Sequence, residues 1–135
     1  MADFNTQIIE EFRANAGKVG GPFDGHELLL LTTVGAKSGQ PRTSPVAFVR
    51  DSGDLVVIAS KAGADSNPAW YTNLRVNPDV TLEVGTETLH ATATPVTEGP
   101  ERDRLYAAMV EEMPGFADYE KKTDRVIPAV RLTPA

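Results

Sequence analysis

The chain has no cysteine, one tryptophan and two histidines, His26 and His90. Without cysteine it can form neither a disulfide nor a thiolate metal site, and it lacks a thiol nucleophile. Two isolated histidines do not make a histidine-rich metal centre, so no metal is expected. No apolar run approaches the roughly 20 residues that a membrane helix needs. Met1–Asn5 lacks the basic start and apolar stretch of a secretory signal, and the cytoplasm is the expected compartment. Positive charge is scarce. Thirteen Lys and Arg stand against 19 Asp and Glu, a net charge of −6, which argues against nucleic acid or an anionic membrane as the main partner. Familiar catalytic loops are missing too: no G-x-S-x-G elbow, no Walker A loop, and no G-x-G-x-x-G between a strand and a helix.

What remains is an ordinary globular composition, 41% hydrophobic and 24% charged over 135 residues. That length suits one domain over residues 1–135, with residues 1–20 as an N-terminal helix and glycine-rich linker. Phe4, Ile8 and Phe12 at four-residue spacing predict a helix to Asn15, broken by Gly17, Gly20, Gly21 and Pro22. It reads as a docking helix on a barrel surface or, alternatively, as a lid or membrane-leaning segment. Leu28–Val34 reads as a buried strand, Gly35–Pro41 as a turn and Thr43–Arg50 as a second strand, with Asp51–Asp54 turning onto Leu55–Ala59. Asn67 is expected to cap a short helix with Pro68 in its first position and Asn77-Pro78 at its end. Val80–Gly85 and Thr88–Val96 form a hairpin pair, Pro100–Met113 a helix, and Phe116 and Tyr119 share a helical turn. Val126–Leu132 would close the sheet, with Pro128 confining it to an edge or a bulge. About six hairpin-linked strands with flanking helices predict an α+β protein, mainly β, built as a small antiparallel barrel.

Three features could carry chemistry. Leu28–Val49 contains no Asp or Glu, where the overall composition would place about three. Inside it Lys37 and Arg42 flank Ser38-Gly39-Gln40-Pro41 and are followed by Thr43-Ser44. Two cations, hydroxyls and glycine-exposed N–H groups suit a phosphate or carboxylate, although a solvated basic hairpin tip would read the same way. Second, Ser60 and Lys61 stand where a strand runs into a loop and a helix start. Third, Trp70 beside Tyr71 could be a core anchor or the wall for a flat heterocycle, with Asn73 supplying amide hydrogen bonds.

Taken in order, these segments resemble the deazaflavin-dependent nitroreductase family. The resemblance is carried by Leu29–Arg42, Ser44-Pro45, Ala59-Ser60-Lys61, Asn67-Pro68-x-Trp70-Tyr71-x-Asn73-Leu74, Asn77-Pro78, Thr123-Asp124-Arg125-x-Ile127-Pro128 and Glu11–Asn15. It implies an antiparallel split β-barrel of the FMN-binding, flavin-reductase-like type. The coenzyme would be 8-hydroxy-5-deazaflavin, coenzyme F-420, with its phosphate and oligoglutamate tail. Lys37, Ser38 and Arg42 would meet the anionic end with N–H groups of Thr43, Ser44 and Val46, and Pro45 would shape the approach. Ser60 and Lys61 would lie near the coenzyme, Ser60 also facing the acceptor, and Ala69, Trp70, Tyr71 and Asn73 would wall the groove. Tyr119 and Ser60 are the candidate catalytic residues.

The family's best-known members carry a tyrosine cluster over the substrate, and here Met113 and Phe116 take two of its positions while Tyr119 keeps its hydroxyl. That departure points towards quinones or activated alkenes as acceptors rather than bulky nitroimidazoles. Three other readings stay open: a non-catalytic coenzyme carrier, a flavin mononucleotide enzyme on a related barrel, and a purely structural protein. A homodimer and a peripheral membrane contact through the first helix are left open as well.

Overall fold

The computed structural model describes residues 4–19 and 28–135. Gly20, Gly21, Pro22 and His26, used in the sequence reading, lie outside them. The chain runs through α1 (Phe4–Ala14), β1 (Leu28–Val34), β2 (Pro41–Ala47), β3 (Val49–Asp51) and β4 (Asp54–Ile58). A 3-10 turn (Lys61–Gly63) leads to α2 (Ala69–Val76), β5 (Asp79–Val84) and β6 (Glu87–Val96). The last elements are α3 (Gly99–Glu112), α4 (Phe116–Lys121) and β7 (Ala129–Pro134).

All strand pairs are antiparallel, in the order β2-β1-β5-β6-β7-β4-β3. Phe48 alone separates β2 from β3, yet these strands stand at opposite ends of that order. Successive Cα atoms are about 3.8 Å apart, so the two ends of the sheet must meet at Phe48. The sheet therefore curls into a barrel. Among the described residues no ladder joins β2 to β3 or β4, so the barrel is split along that seam.

The strand faces explain the apolar runs. Leu29 and Leu31 point into the barrel with Val57, Leu82 and Leu132, whereas Leu28 and Leu30 point outward onto Ile8 and Phe12 of α1. Val57 lies inside the barrel, while Val56 and Ile58 pack on Leu105, Tyr106 and Met109 of α3. These strands are covered on both faces, so they lack the alternation of a half-exposed strand. Docking of α1 is reinforced by Arg13, whose guanidinium gives two bonds, 3.0 and 2.8 Å, to the Glu83 carboxylate on β5. The Phe4 side chain lies outside the description. From α2, Trp70, Tyr71 and Leu74 enter the barrel interior.

Three expectations need correction. There are seven strands, because the expected second strand is divided at Phe48, whose ring turns into the core. Asn67 does not cap α2: Pro68 occupies that position without a side-chain bond, and the Asn67 side-chain oxygen Oδ1 accepts instead from Arg125 at 2.8 Å. The closing strand is no edge, since β7 lies between β6 and β4. Pro128 precedes the ladder, where its missing N–H costs nothing, and its carbonyl still accepts from Ala59 N–H at 2.9 Å.

A charge network locks the β3–β4 hairpin to β7 and α3. Arg131 reaches Asp51, Asp54 and Glu101 at 2.6, 3.1 and 2.6 Å, and Arg104 reaches Asp51 at 2.7 Å. Hydrogen bonds from Arg104 and Arg131 hold the Asp51 carboxyl down to about 2. A carboxyl lowered in the folded state stabilises it fully above the unfolded value of about 3.9 and stops doing so as pH falls through the folded value. The stability difference between the native protein and Asp51→Asn is therefore expected to shrink between about pH 4 and pH 2, as thermal melts across that range would show.

Candidate functional site

The acid-free window folds as the β1–β2 hairpin, and its turn is braced from both sides. Within it Gly35 N–H donates to Gln40 O at 2.8 Å, Gly39 N–H to Gly35 O at 2.9 Å, and Gln40 N–H to Ser38 Oγ at 3.2 Å. A Cβ on Gly35 would come within 2.5 Å of Ser38 Oγ and 3.2 Å of Gln40 O, so any larger residue would have to displace the Ser38 hydroxyl from this turn. From α2, Asn73 accepts from Ala36 N–H at 2.9 Å through Oδ1 and donates to Thr33 Oγ1 at 3.1 Å through Nδ2. Asn73 is buried and spends its amide on fixing this turn. Helix and hairpin thus hold a fixed separation.

Between them lies a cavity of about 550 Å³. Lys37, Ser38, Arg42, Thr43 and Ser44 line one side, and Ala69, Trp70, Thr72 and Asn73 the other. No carboxylate among the described residues lines it. Arg13, Arg102, Arg104 and Arg131 each have an acidic partner, whereas Lys37 and Arg42 have none among the described residues. Thr43 is partly occupied, its hydroxyl 2.8 Å from that of Thr32. Because β2 ends the sheet order, one set of its alternate N–H groups points away from β1.

A second cavity, about 230 Å³, shares Trp70 with the first among its lining residues. Pro45 and Val46 of β2, Ser60 and Lys61 after β4, and Met113, Phe116 and Tyr119 near α4 surround it. Phe116 and Tyr119 meet edge-on with centroids 5.0 Å apart. The wall that α4 makes is held from beneath. Tyr106 donates its hydroxyl to Phe116 O at 2.6 Å, and the buried Arg102 reaches Glu120 at 3.0 Å and Ile127 O at 3.0 Å. Burial, above all, pushes the Tyr106 phenol up to about 12. Gly63, at φ +84, lets the 3-10 turn press against α4: a Cβ there would stand 3.0 Å from Tyr119 O and from Lys122 Cβ. Lys61 Nζ donates to Ser66 Oγ at 3.3 Å.

The hairpin and loop residues singled out from sequence therefore converge on two adjoining cavities. Tyr71 does not. It lines neither cavity and is buried in the barrel interior, with Arg75 5.8 Å from its ring centre. Asn73 serves the turn rather than standing free. Sequence reasoning gave Thr72 no role, read Pro68 as a helix-start residue rather than as part of a cavity wall, and gave no role to Arg125, although Thr123-Asp124-Arg125 belongs to the resemblance.

The antiparallel split barrel, with two cavities that share Trp70 among their lining residues, is that of a flavin-reductase-like protein. The chain belongs to the F420H(2)-dependent quinone reductase family, whose model matches residues 5–134. It is 38% identical over 125 residues to the F420H(2)-dependent quinone reductase of Mycobacterium tuberculosis strain H37Rv, covering 90% of this chain and 84% of that protein. A solved F420-H2 dependent reductase, FDR-A, superposes with TM-score 0.71 at 40% identity, over 78% of this chain and 92% of that one. A second structure, described as a domain-swapped dimer, gives TM-score 0.73 at 35% identity, over 93% and 95%.

Proposed function

We propose that this protein is a reductase that uses reduced 8-hydroxy-5-deazaflavin, coenzyme F420, to reduce a quinone or a similar small electrophile. One observation carries the reading: Trp70 lines both a cavity that holds Lys37 and Arg42 with no carboxylate among the described residues and a second cavity that holds Met113, Phe116 and Tyr119. The donor set fits a polyanionic coenzyme. Lys37 and Arg42 provide countercharge, Ser38 and Ser44 hydroxyls, and outward N–H groups of β2 the remaining donors. Trp70 offers an indole face at the junction. The family and the 38% identical relative support the same coenzyme and acceptor class.

When bound in its reduced form, the coenzyme supplies a hydride. The chain binds, orients and shields. Holding donor and acceptor in register can remove up to about 7–11 kcal/mol from the barrier. Ser60 and Tyr119 are the hydroxyls of the second cavity and the candidates for contact with the acceptor. Met113 and Phe116 make that end apolar, which suits a quinone ring better than a bulky nitroimidazole. The one domain works as a unit in this reading, in the cytoplasm and as a homodimer; the swapped-dimer relative supports the last point, and light scattering tests it. A peripheral membrane contact through α1 gains no support, since Ile8 and Phe12 are buried on β1.

Trp70 is the sole tryptophan, so its fluorescence reports on coenzyme binding. Titration with deazaflavin is expected to quench it, and adding a naphthoquinone to protein with reduced coenzyme is expected to give turnover. Flavin mononucleotide binding with no deazaflavin binding would overturn the coenzyme, and binding without turnover would leave a carrier.

A further inference from the structure

Arg125 stands apart from the paired arginines by what it holds. Its Nε donates to Ala64 O at 2.8 Å, Nη1 to Asn67 Oδ1 at 2.8 Å, and Nη2 to Ala59 O at 3.1 Å and Ser60 O at 3.0 Å. All four acceptors lie on the segment joining β4 to α2, and none is a carboxylate. In a trans peptide the carbonyl and the following N–H point in opposite directions. With the Ala59 and Ser60 carbonyls drawn to one guanidinium nitrogen, the N–H groups of Ser60 and Lys61 face away from Arg125. Ser60 is right-handed (φ −78°, ψ −37°) and Lys61 left-handed (φ +47°), a succession that turns consecutive N–H groups towards a common concavity. Neither N–H is bonded among the described residues.

A second observation is independent of that backbone. Ser60 is only 8% exposed, it lines the second cavity, and its hydroxyl has no partner among the described residues. A buried hydroxyl left unmatched is destabilising, and a ligand oxygen that pairs with it removes that cost.

We infer that Arg125 is a positioning residue that keeps the Ser60 hydroxyl and the Ser60 and Lys61 N–H groups open in the second cavity as a site for an oxyanion. The acceptor class is then a carbonyl compound, a quinone or an enone. This rests on the reading of the second cavity as the acceptor's place. The balance is simple. One hydride, with its electron pair, leaves its carbon and bonds to the acceptor; a quinone becomes the hydroquinone monoanion, with the charge on oxygen. One proton from water completes the hydroquinone. Donors already aimed at that oxygen stabilise the charge as it develops.

The test uses 4-nitrophenol on coenzyme-free protein, because its two protonation states differ in colour and no reductant is present. The native protein is expected to bind the phenolate at least about tenfold more tightly than the phenol, read as a downward shift of the bound dye's titration by one unit or more. Arg125→Ala and Arg125→Lys are expected to lose that preference, and added guanidinium to restore it in Arg125→Ala. Ser60→Ala should lose part of it. With a naphthoquinone the Arg125→Lys defect should fall on kcat rather than KM, which a general loosening of the fold would not produce. Should Arg125→Ala fail to fold, Arg125→Lys and Ser60→Ala decide. Equal binding of both dye forms by the native protein, or an undiminished preference in the Arg125 variants, overturns the inference. Failure of the native protein to bind deazaflavin would instead overturn the proposed function, so the two failures are distinguishable.

Discussion

Replacing Lys37 and Arg42 together by alanine is expected to weaken deazaflavin binding about 100-fold. Charge-assisted contacts are worth about 1.5–3 kcal/mol each, and every 1.4 kcal/mol is tenfold in affinity. Both side chains are exposed, so screening keeps each near the lower figure, about tenfold apiece. Neither replacement leaves an orphan, because no carboxylate among the described residues depends on these cations. Melting temperature should therefore hardly move. Lys18→Ala, an exposed cation just beyond α1, is the matched control and should bind normally. The defect should also narrow as salt is raised, since the screening length falls to about 8 Å at 0.15 M. An unchanged dissociation constant in the double variant would remove the basis for the assigned groove.

A second large effect is expected at Trp70, this time on stability and binding together. The side chain is buried in the barrel core and lines both cavities, so Trp70→Ala opens a void and removes their common wall. Aromatic-to-alanine changes in cores cost about 3–5 kcal/mol. For a chain of this size that lowers the melting temperature by roughly 10–20 °C. Trp70→Phe keeps a ring in place and should recover much of the stability. If Trp70→Ala melts like the native protein, the indole is not packed as described.

The barrel was legible where short-range chemistry decides. Apolar strands, glycine turns and proline stops located nearly every element between Leu28 and Val96, and the lack of acids drew attention to the hairpin that lines the larger cavity. Features that depend on distant partners were not legible. Pro128 suggests an edge strand on local grounds, but its neighbours in space, β6 and β4, come from 30 or more residues away. Asn67 has a capping residue's chemistry, yet Arg125, 58 residues on, competes successfully for its oxygen. Tyr71 and Trp70 are adjacent and look equivalent, and both pack into the interior, but only the helix packing decides that Trp70 alone also lines the cavities. Arg125 itself gives no local sign of its role, because all its acceptors lie on a segment ending 58 residues earlier.

The one-residue join at Phe48 bears on how the molecule forms. Because β2 and β3 are joined from the start, the sheet becomes one barrel only when β1 finds β5, with Leu30 against Glu83, and β4 finds β7, with Leu55 against Leu132. Such contacts close long loops before any reward arrives, which places this topology among slow folders. These long-range pairings should consequently come last during refolding. Until then the pairing edges of β1, β4, β5 and β7 stay bare, so recovery after dilution from denaturant should fall as protein concentration rises.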